Sequence, residues 1–298
     1  MDQHLQVFIA VAERKSFSRA AEDLHMTQPA VSQYIRLFEE NIGTKLLERT
    51  NKYVRLNRAG EIVYHHAKEI TGLYTNMQNL VDDLVNKVAG PLHIGASYTF
   101  GEYVLPRIIA ELQTKHPDIQ PDLTIGNTAK IASLVTSHQL DIGIVEGNFK
   151  DKQLIIEDVA EDSMVIVASP DHLLIKRGGT TEVKILEDEV WIVREQGSGT
   201  REATDKLFER LGLAPEKRMN FGSTQSIKEA VQVGLGISLL SHWAVKKELK
   251  NGDLKRIEGE GLPFKRKFSI IRKSPFQTKA LEVFIDLLHR GELLIDRG

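Results

Sequence analysis

Residues 16–49 read SFSRAAEDLHMTQPAVSQYIRLFEENIGTKLLER. Apolar residues fall on helical spacing in two short segments, roughly 19–24 and 28–41. The turn between them is too short for antiparallel helices, which is the pattern of a helix-turn-helix. Ser18 and Thr27 stand where N-caps belong, and Pro29 falls in a first turn, where its missing N–H costs nothing. In the second helix Val31, Ile35 and Phe38 recur at i, i+4 and i+7 as a stripe to be buried, leaving Gln28, Ser32, Gln33 and Arg36 on another face. Amide, hydroxyl and guanidinium groups suit the paired donors and acceptors on major-groove base edges. A solvated surface would explain the same face on an isolated helix; the caps, the turn and the segment that follows favour recognition.

That following segment, RTNKYVRLNRAG at 49–60, alternates apolar and basic residues around Val54 and Leu56, with Asn51 as a turn former, and fits a two-stranded wing. Lys52, Arg55 and Arg58 project from it with no acidic residue between them. Residues 14–58 hold nine Lys and Arg against five Asp and Glu, a local net of +4 in a chain whose net charge is -2. Positive charge gathered on one module of a mildly acidic chain indicates a discrete DNA-binding domain, since phosphate attraction supplies most non-specific affinity. The candidate DNA contacts are Ser18, Thr27, Gln28, Pro29, Ser32, Gln33, Arg36, Lys52 and Arg55, on a pseudo-palindromic double-stranded site.

The Ser-Phe-Ser-x-Ala-Ala start of residues 16–49, their Thr-Gln-Pro-Ala-Val-Ser centre and their Ile-Gly-x-Lys-Leu-Leu-x-Arg end resemble the winged helix-turn-helix of LysR-type transcriptional regulators. Total length and the later segments agree, so the resemblance covers almost the whole chain. It implies a homodimer or homotetramer, a small-molecule co-inducer and RNA polymerase as a partner.

Residues 59–89 contain no Pro and, beyond Gly60 at their start, one Gly, Gly72. Val63, Ala67, Ile70, Tyr74, Met77, Val81, Leu84 and Val88 alternate by four and three, a heptad seam along a helix of ~45 Å. Packing against its own chain would also explain the seam, but the length favours a dimerisation helix, as the resemblance implies. Gly90-Pro91 stops it.

From Leu92 short apolar runs alternate with amphipathic helices, as βαβ units do. The last strand and helix, KFSIIRK and KALEVFIDLLHR, are left over to pair with the first half. The expected fold is α+β overall, with a winged helix-turn-helix over 1–58, a linker or dimerisation helix over 59–89 and an effector-binding domain over 90–298. The resemblance implies two α/β lobes in the last domain, like those of a periplasmic binding protein: lobe I from 90–161 plus 267–298 and lobe II from 162–266. The chain would cross between them near 158–163 and 262–268, with a ligand cleft where strand ends converge.

Small polar residues follow three strands just before a helix: Ser97, Tyr98 and Thr99; Asn127 and Thr128; and Gln196, Gly197, Ser198, Gly199, Thr200 and Arg201. Plain N-capping explains any single one. Three such loops at one cleft, with residues 222–225 as a fourth, suggest a bound anion, because helix starts offer unpaired N–H groups and Arg201 a carboxylate-matching fork. In the family the corresponding loops bind the co-inducer, and REQGSGTR at 194–201 is similar to the branch holding regulators of sulfur assimilation, cysteine synthesis and carbon fixation. The effector contacts expected are Ser97, Thr99, Asn127, Thr128, Gly197, Ser198, Gly199, Thr200 and Arg201; no cofactor is expected beyond a small anionic effector.

Catalysis finds little support. There is no phosphate loop, no Gly-x-Ser-x-Gly elbow and, with no cysteine, no thiol chemistry. His65 and His66 show no metal-ligand spacing on this reading, and Asp141 and Glu146, which bracket a strand, are a carboxylate pair that more often caps loops or pairs with Arg. The rivals are an enzyme, or a solute-binding protein with an added helix domain; the latter would need export, and MDQHLQVFIAVAERKS lacks the basic start and cleavage site of a signal peptide. A cytoplasmic location is the default, with no membrane span expected.

Overall fold

The computed structural model describes residues 3–50, 53–83, 88–147, 149–179 and 181–290. The chain divides into two compact units, one built on Met1–Val85 and the other on Asn86–Thr136 and Leu140–Gly298.

In the first unit, helices α1 (Gln3–Arg14), α2 (Phe17–Asp23) and α3 (Gln28–Ile42) close around Val7, Phe8, Val11, Ala20, Val31, Ile35 and Phe38. The cap of α2 is Ser16, whose hydroxyl accepts the Arg19 N–H at 3.4 Å, and not Ser18, which lies inside the first turn and is exposed. Starting the helix at Phe17 lets that ring and Ala20 and Ala21 join the core, which selects between the two serines. Thr27 caps α3 by accepting the Ala30 N–H at 3.4 Å, Pro29 sits in its first turn, and Gly43 at φ 84° closes it in the left-handed region. The wing is β1 (Leu47–Arg49) antiparallel to β2 (Val54–Leu56), with Leu47 opposite Leu56. Lys52 lies outside the described residues.

Helix α4 (Arg58–Asp83) divides the heptad seam. Val63 and Ala67 are spent on the core of their own unit, while Ile70, Met77 and Val81, joined by Ile62 and Leu73, are about half exposed. The apolar stripe left free therefore lies on a slightly different face than the sequence seam. Leu84 falls outside the described residues, and Val88 packs into the core of the second unit.

The second unit runs β3 (Gly90–Ser97), α5 (Tyr98–Tyr103), α6 (Leu105–Lys115), β4 (Ile119–Gly126), α7 (Thr128–Thr136), β5 (Ile142–Glu146) and β6 (Ile155–Ala168). It continues through α8 (Leu173–Arg177), α9 (Val183–Glu187), β7 (Trp191–Arg194), α10 (Gly199–Leu211), β8 (Arg218–Phe221), α11 (Thr224–Gln232), β9 (Ser238–Ser241), α12 (His242–Asn251), β10 (Lys255–Ile257), β11 (Phe264–Arg272) and α13 (Lys279–His289). β3 pairs in parallel with β4 and β5, and β7 with β8. The crossings are the long strands β6 and β11, antiparallel to each other with a register shift at Phe268/Ser269, so one sheet of order β10-β6-β11-β5-β3-β4, with β9 on β6, runs through both lobes. Phe268, Phe100, Ile94, Ile144 and Phe284 share one core; Trp191, Phe208, Leu239, Met164 and Phe264 share another. Among the described residues no helix is long and apolar enough to cross a membrane.

Candidate functional site

The polar face of α3 expected to read DNA stands clear of its core. Gln28, Gln33 and Arg36 are exposed and Ser32 is half-buried; the Gln28 amide donates to the Ser32 hydroxyl at 2.9 Å, and Arg36 lies 3.5 Å from an equally exposed Glu40. Solvent contacts of this kind are exchangeable for base edges. The arginines of this segment, with no acid between them in sequence, find acidic partners on either side of it. Arg55 donates to Glu48 at 2.7 Å, because the antiparallel register sets the two opposite each other, and Arg58 pairs with Glu61 at 3.1 Å one helical turn on.

Sequence reasoning missed Glu39. Buried on the inner side of α3, it accepts the Leu46 and Leu47 N–H groups at 2.9 and 3.3 Å and the Lys45 ammonium at 2.8 Å. Burial works to raise its carboxyl, but the Lys45 and backbone bonds outweigh that and hold it below the usual glutamate value. It ties the wing to the recognition helix. Its i+1 position beside the Phe38 stripe was the available signal.

On α4, His65 and His66 both approach Glu69, at 3.8 and 2.9 Å, so a carboxylate–histidine group does exist there. Spacings of three and four residues put Glu69 within reach of both rings.

Between the lobes the structure brings together most of the expected effector residues, and uses nearly all of their hydrogen bonds internally. The Ser97 and Thr128 hydroxyls are 3.1 Å apart, and Asn127 caps α7 while its amide reaches Glu195 of the other lobe at 3.1 Å. Ala129 N–H donates to Gly197 O at 3.0 Å, a backbone bond from lobe to lobe. Gly197, at φ 85°, has no room for a Cβ, which would lie 2.9 Å from that of Ala129; at Gly199 a Cβ would meet Glu146 O at 2.3 Å. These two glycines permit the close approach of the lobes. Ser198 caps α10 by accepting the Thr200 N–H at 3.2 Å.

The expected free cation is already engaged. Arg201 binds both Asp205 oxygens at 3.0 Å, Arg194 O at 3.2 Å and Asn220 at 3.1 Å. Its i,i+4 partner was visible in the sequence.

Thr99 and Thr200 face a charged cluster at the centre of the cleft. Glu146 Oε1 accepts the Thr99 and Phe100 N–H groups at 2.7 and 3.3 Å, and its Oε2 lies 2.8 Å from Arg266. Arg266 also donates to Asp162 at 2.7 Å and to the Thr99 and Thr200 hydroxyls at 3.0 and 3.1 Å, and Ser241 donates to Asp162 at 2.7 Å. All three charged side chains are buried. Burial pushes the Asp162 carboxyl up against the pull of Arg266, as expected where two carboxylates share one guanidinium. Asp141, the other half of the sequence pair, instead lies 3.2 Å from His93 Nδ1, a bond that raises the imidazole against the effect of burial. The two carboxylates have separate structural partners.

Beside the cluster opens a cavity of about 430 Å³ lined by Thr128, Phe149, Gly197, Ser198, Gly199, Arg201, Glu202, Asp205 and Lys206 among others. It is large enough for a small metabolite.

Residues 3–61 match the family described as bacterial regulatory helix-turn-helix protein, lysR family, and residues 86–292 match the LysR substrate binding domain. The HTH-type transcriptional regulator CysL of Bacillus subtilis (strain 168) is 38% identical over 287 residues, 95% of either chain. A RuBisCO operon transcriptional regulator of Allochromatium vinosum is 32% identical over 269 residues, 90% of this chain and 88% of its own. Among solved structures, the Synechocystis PCC6803 CcmR regulatory domain in complex with 2-PG has a TM-score of 0.62 and 29% identity, covering 67% of this chain and 96% of that one.

Proposed function

The chain belongs to the LysR family of DNA-binding transcription regulators with an effector-binding domain, and on that premise we propose how its residues divide the work. Residues 1–58 bind a pseudo-palindromic site, with Gln28, Ser32, Gln33 and Arg36 at base edges and Ser18, Thr27, Lys52 and Arg55 toward phosphates. The observation that carries this is an exposed polar face on a helix whose opposite side and caps are fixed by its own core. Residues 59–89 join two copies through the stripe of Ile70, Leu73, Met77 and Val81, which sets the distance between half-sites. Placing Glu at Met77 puts unpaired charge there, and a variant that sediments like the wild type would remove the helix from the interface.

Residues 90–298 hold a small anionic metabolite in the cavity at Thr128, Gly197, Ser198, Gly199 and Arg201, with Ser97, Thr99, Asn127 and Thr200 closing the lobes behind it. The 2-PG complex of the CcmR domain supports a metabolite of this size as ligand. Binding that favours one lobe arrangement shifts the DNA-bound geometry by its differential affinity, and the readout passes to RNA polymerase in the cytoplasm. A thermal-shift screen of metabolic anions on the full chain tests this. Hits should weaken in Thr128→Val and persist in Arg36→Ala; stabilisation by neutral compounds alone, or an unchanged response in Thr128→Val, would move the site elsewhere.

A further inference from the structure

The centre of the cleft is assembled like a receptor for an oxyanion, and its occupant comes from the chain itself. Two backbone N–H groups at Thr99 and Phe100, the Thr200 hydroxyl and the Arg266 guanidinium converge on the Glu146 carboxylate. These donors come from the first lobe, the second lobe and the crossing strand β11, so the carboxylate touches each body whose relative position an effector would change. A small external carboxylate, sulfate or phosphate group would seek the same donors. With Glu146 and Asp162 both beside Arg266, a further anion would add a third negative charge to a site with one positive one. The neighbouring cavity ends at Thr128 and Gly199, which border the Glu146 carbonyl, while the Glu146 carboxylate itself is buried behind them.

We propose that Glu146 is a resident anion that determines ligand specificity: it holds the inner oxyanion position between the lobes and bars external anions from it. This rests on the reading of the cleft as the effector site. An anionic effector accordingly keeps its charged group in the outer cavity, near Ser198 and Lys206. Lys206 is placed for this, being half-exposed on the cavity wall and paired with Glu202 rather than with the inner cluster.

Removing the resident carboxylate should convert the inner position into a site for a small monoanion, which restores the charge count of the native cluster. The probe is sodium formate, compared with sodium chloride at equal ionic strength, on the full chain as wild type, Glu146→Ala and Glu146→Ala/Thr200→Val. Salts also act on protein surfaces in general, so the quantity read is the excess rise in Tm of a variant over the wild type. Glu146→Ala should show an excess on the order of 5 °C at saturating formate, and losing the Thr200 hydroxyl should cut it at least by half. Should Glu146→Ala lack a cooperative transition, Glu146→Ser replaces it, since its short side chain also vacates the position; Glu146→Gln, whose amide still fills it, should show no excess. Equal formate shifts in wild type and the vacated variant, or an excess indifferent to Thr200→Val, overturn the assignment. A metabolite screen without hits would sink the effector reading and leave the formate result standing, so the two failures are distinguishable.

Discussion

The outer face of α3 and the centre of the interlobe cleft are both made of polar side chains and an arginine, and they do opposite things with them. On α3 the groups stay in water: Gln33 and Arg36 are exposed, and the one ion pair there spans 3.5 Å between two solvated side chains. In the cleft Thr99, Thr200, Glu146, Asp162 and Arg266 are buried, and Arg266 uses its Nε and both terminal nitrogens on partners from this chain. Hydrogen-bonding capacity left in water is available to a partner at little cost, whereas capacity consumed inside is structural and costly to disturb. The position of such residues in sequence does not separate the two cases; burial does.

The sharpest way to break this contrast is Arg266→Met. It leaves two buried carboxylates facing each other without their shared cation, and should cost about 3–5 kcal/mol of stability in urea unfolding of the full chain. A loss below about 1 kcal/mol would mean the cluster is solvated and no different in kind from the α3 face. Next in size is Glu39→Ala, which places a cleft-like case inside the DNA-binding unit. It orphans the Leu46 and Leu47 N–H groups and should cost about 1.5–3 kcal/mol, seen as faster hydrogen exchange at those two amides. Because the folded carboxyl lies below its ordinary value of 4.5, its stabilisation is complete above that pH and fades as pH falls through the lower folded value. Glu39→Gln should therefore flatten the acid limb of wing stability, and an unchanged acid limb would show that the ionised form contributes nothing.

The sequence made the fold class and the family legible because the signals were local: caps, a heptad spacing, and strands alternating with helices. What it hid were contacts between distant positions. Glu146 and Asp162 meet Arg266 across 120 and 104 residues, and no spacing rule links them. The first half of β6, IIEDVAED, did not read as strand because it carries acids on a crossing segment that is partly exposed on both faces. Helix α12 escaped because its buried residues are few, Ala244 and Val245. The heptad seam was read as one surface, although its first two members had a nearer core to join. Ser18 read as the cap of α2, and the packing of Phe17 moved the cap to Ser16.

Arg36→Ala and Gln33→Ala sharpen the contrast from the exposed side. Each should remove about 1–3 kcal/mol of discrimination at one base pair while leaving random-sequence binding nearly unchanged. Neither substitution should shift the urea midpoint, since neither group holds the fold together. Competition binding against single-base operator variants measures the first effect. A uniform loss over all operators would make these residues phosphate contacts.

The smallest effect belongs to the wing, where Arg55 combines features of both regions: it is exposed like the α3 face, yet paired like the cleft. Its partner Glu48 is also exposed, so the pair is screened by water and salt and readily exchanged. Exchanging Glu48 for a DNA phosphate releases about one counterion, so Arg55→Ala should lower affinity equally for all sequences and reduce the slope of log K against log salt by about 0.9 or less. Glu48→Ala should act in the opposite sense, raising affinity at low salt by removing the competing acid, because the burial that makes Glu146 and Glu39 structural is missing here. If Glu48→Ala instead weakens binding, the pair is holding the wing in shape. Arg55 would then belong with Arg266 among the residues whose charge serves the fold.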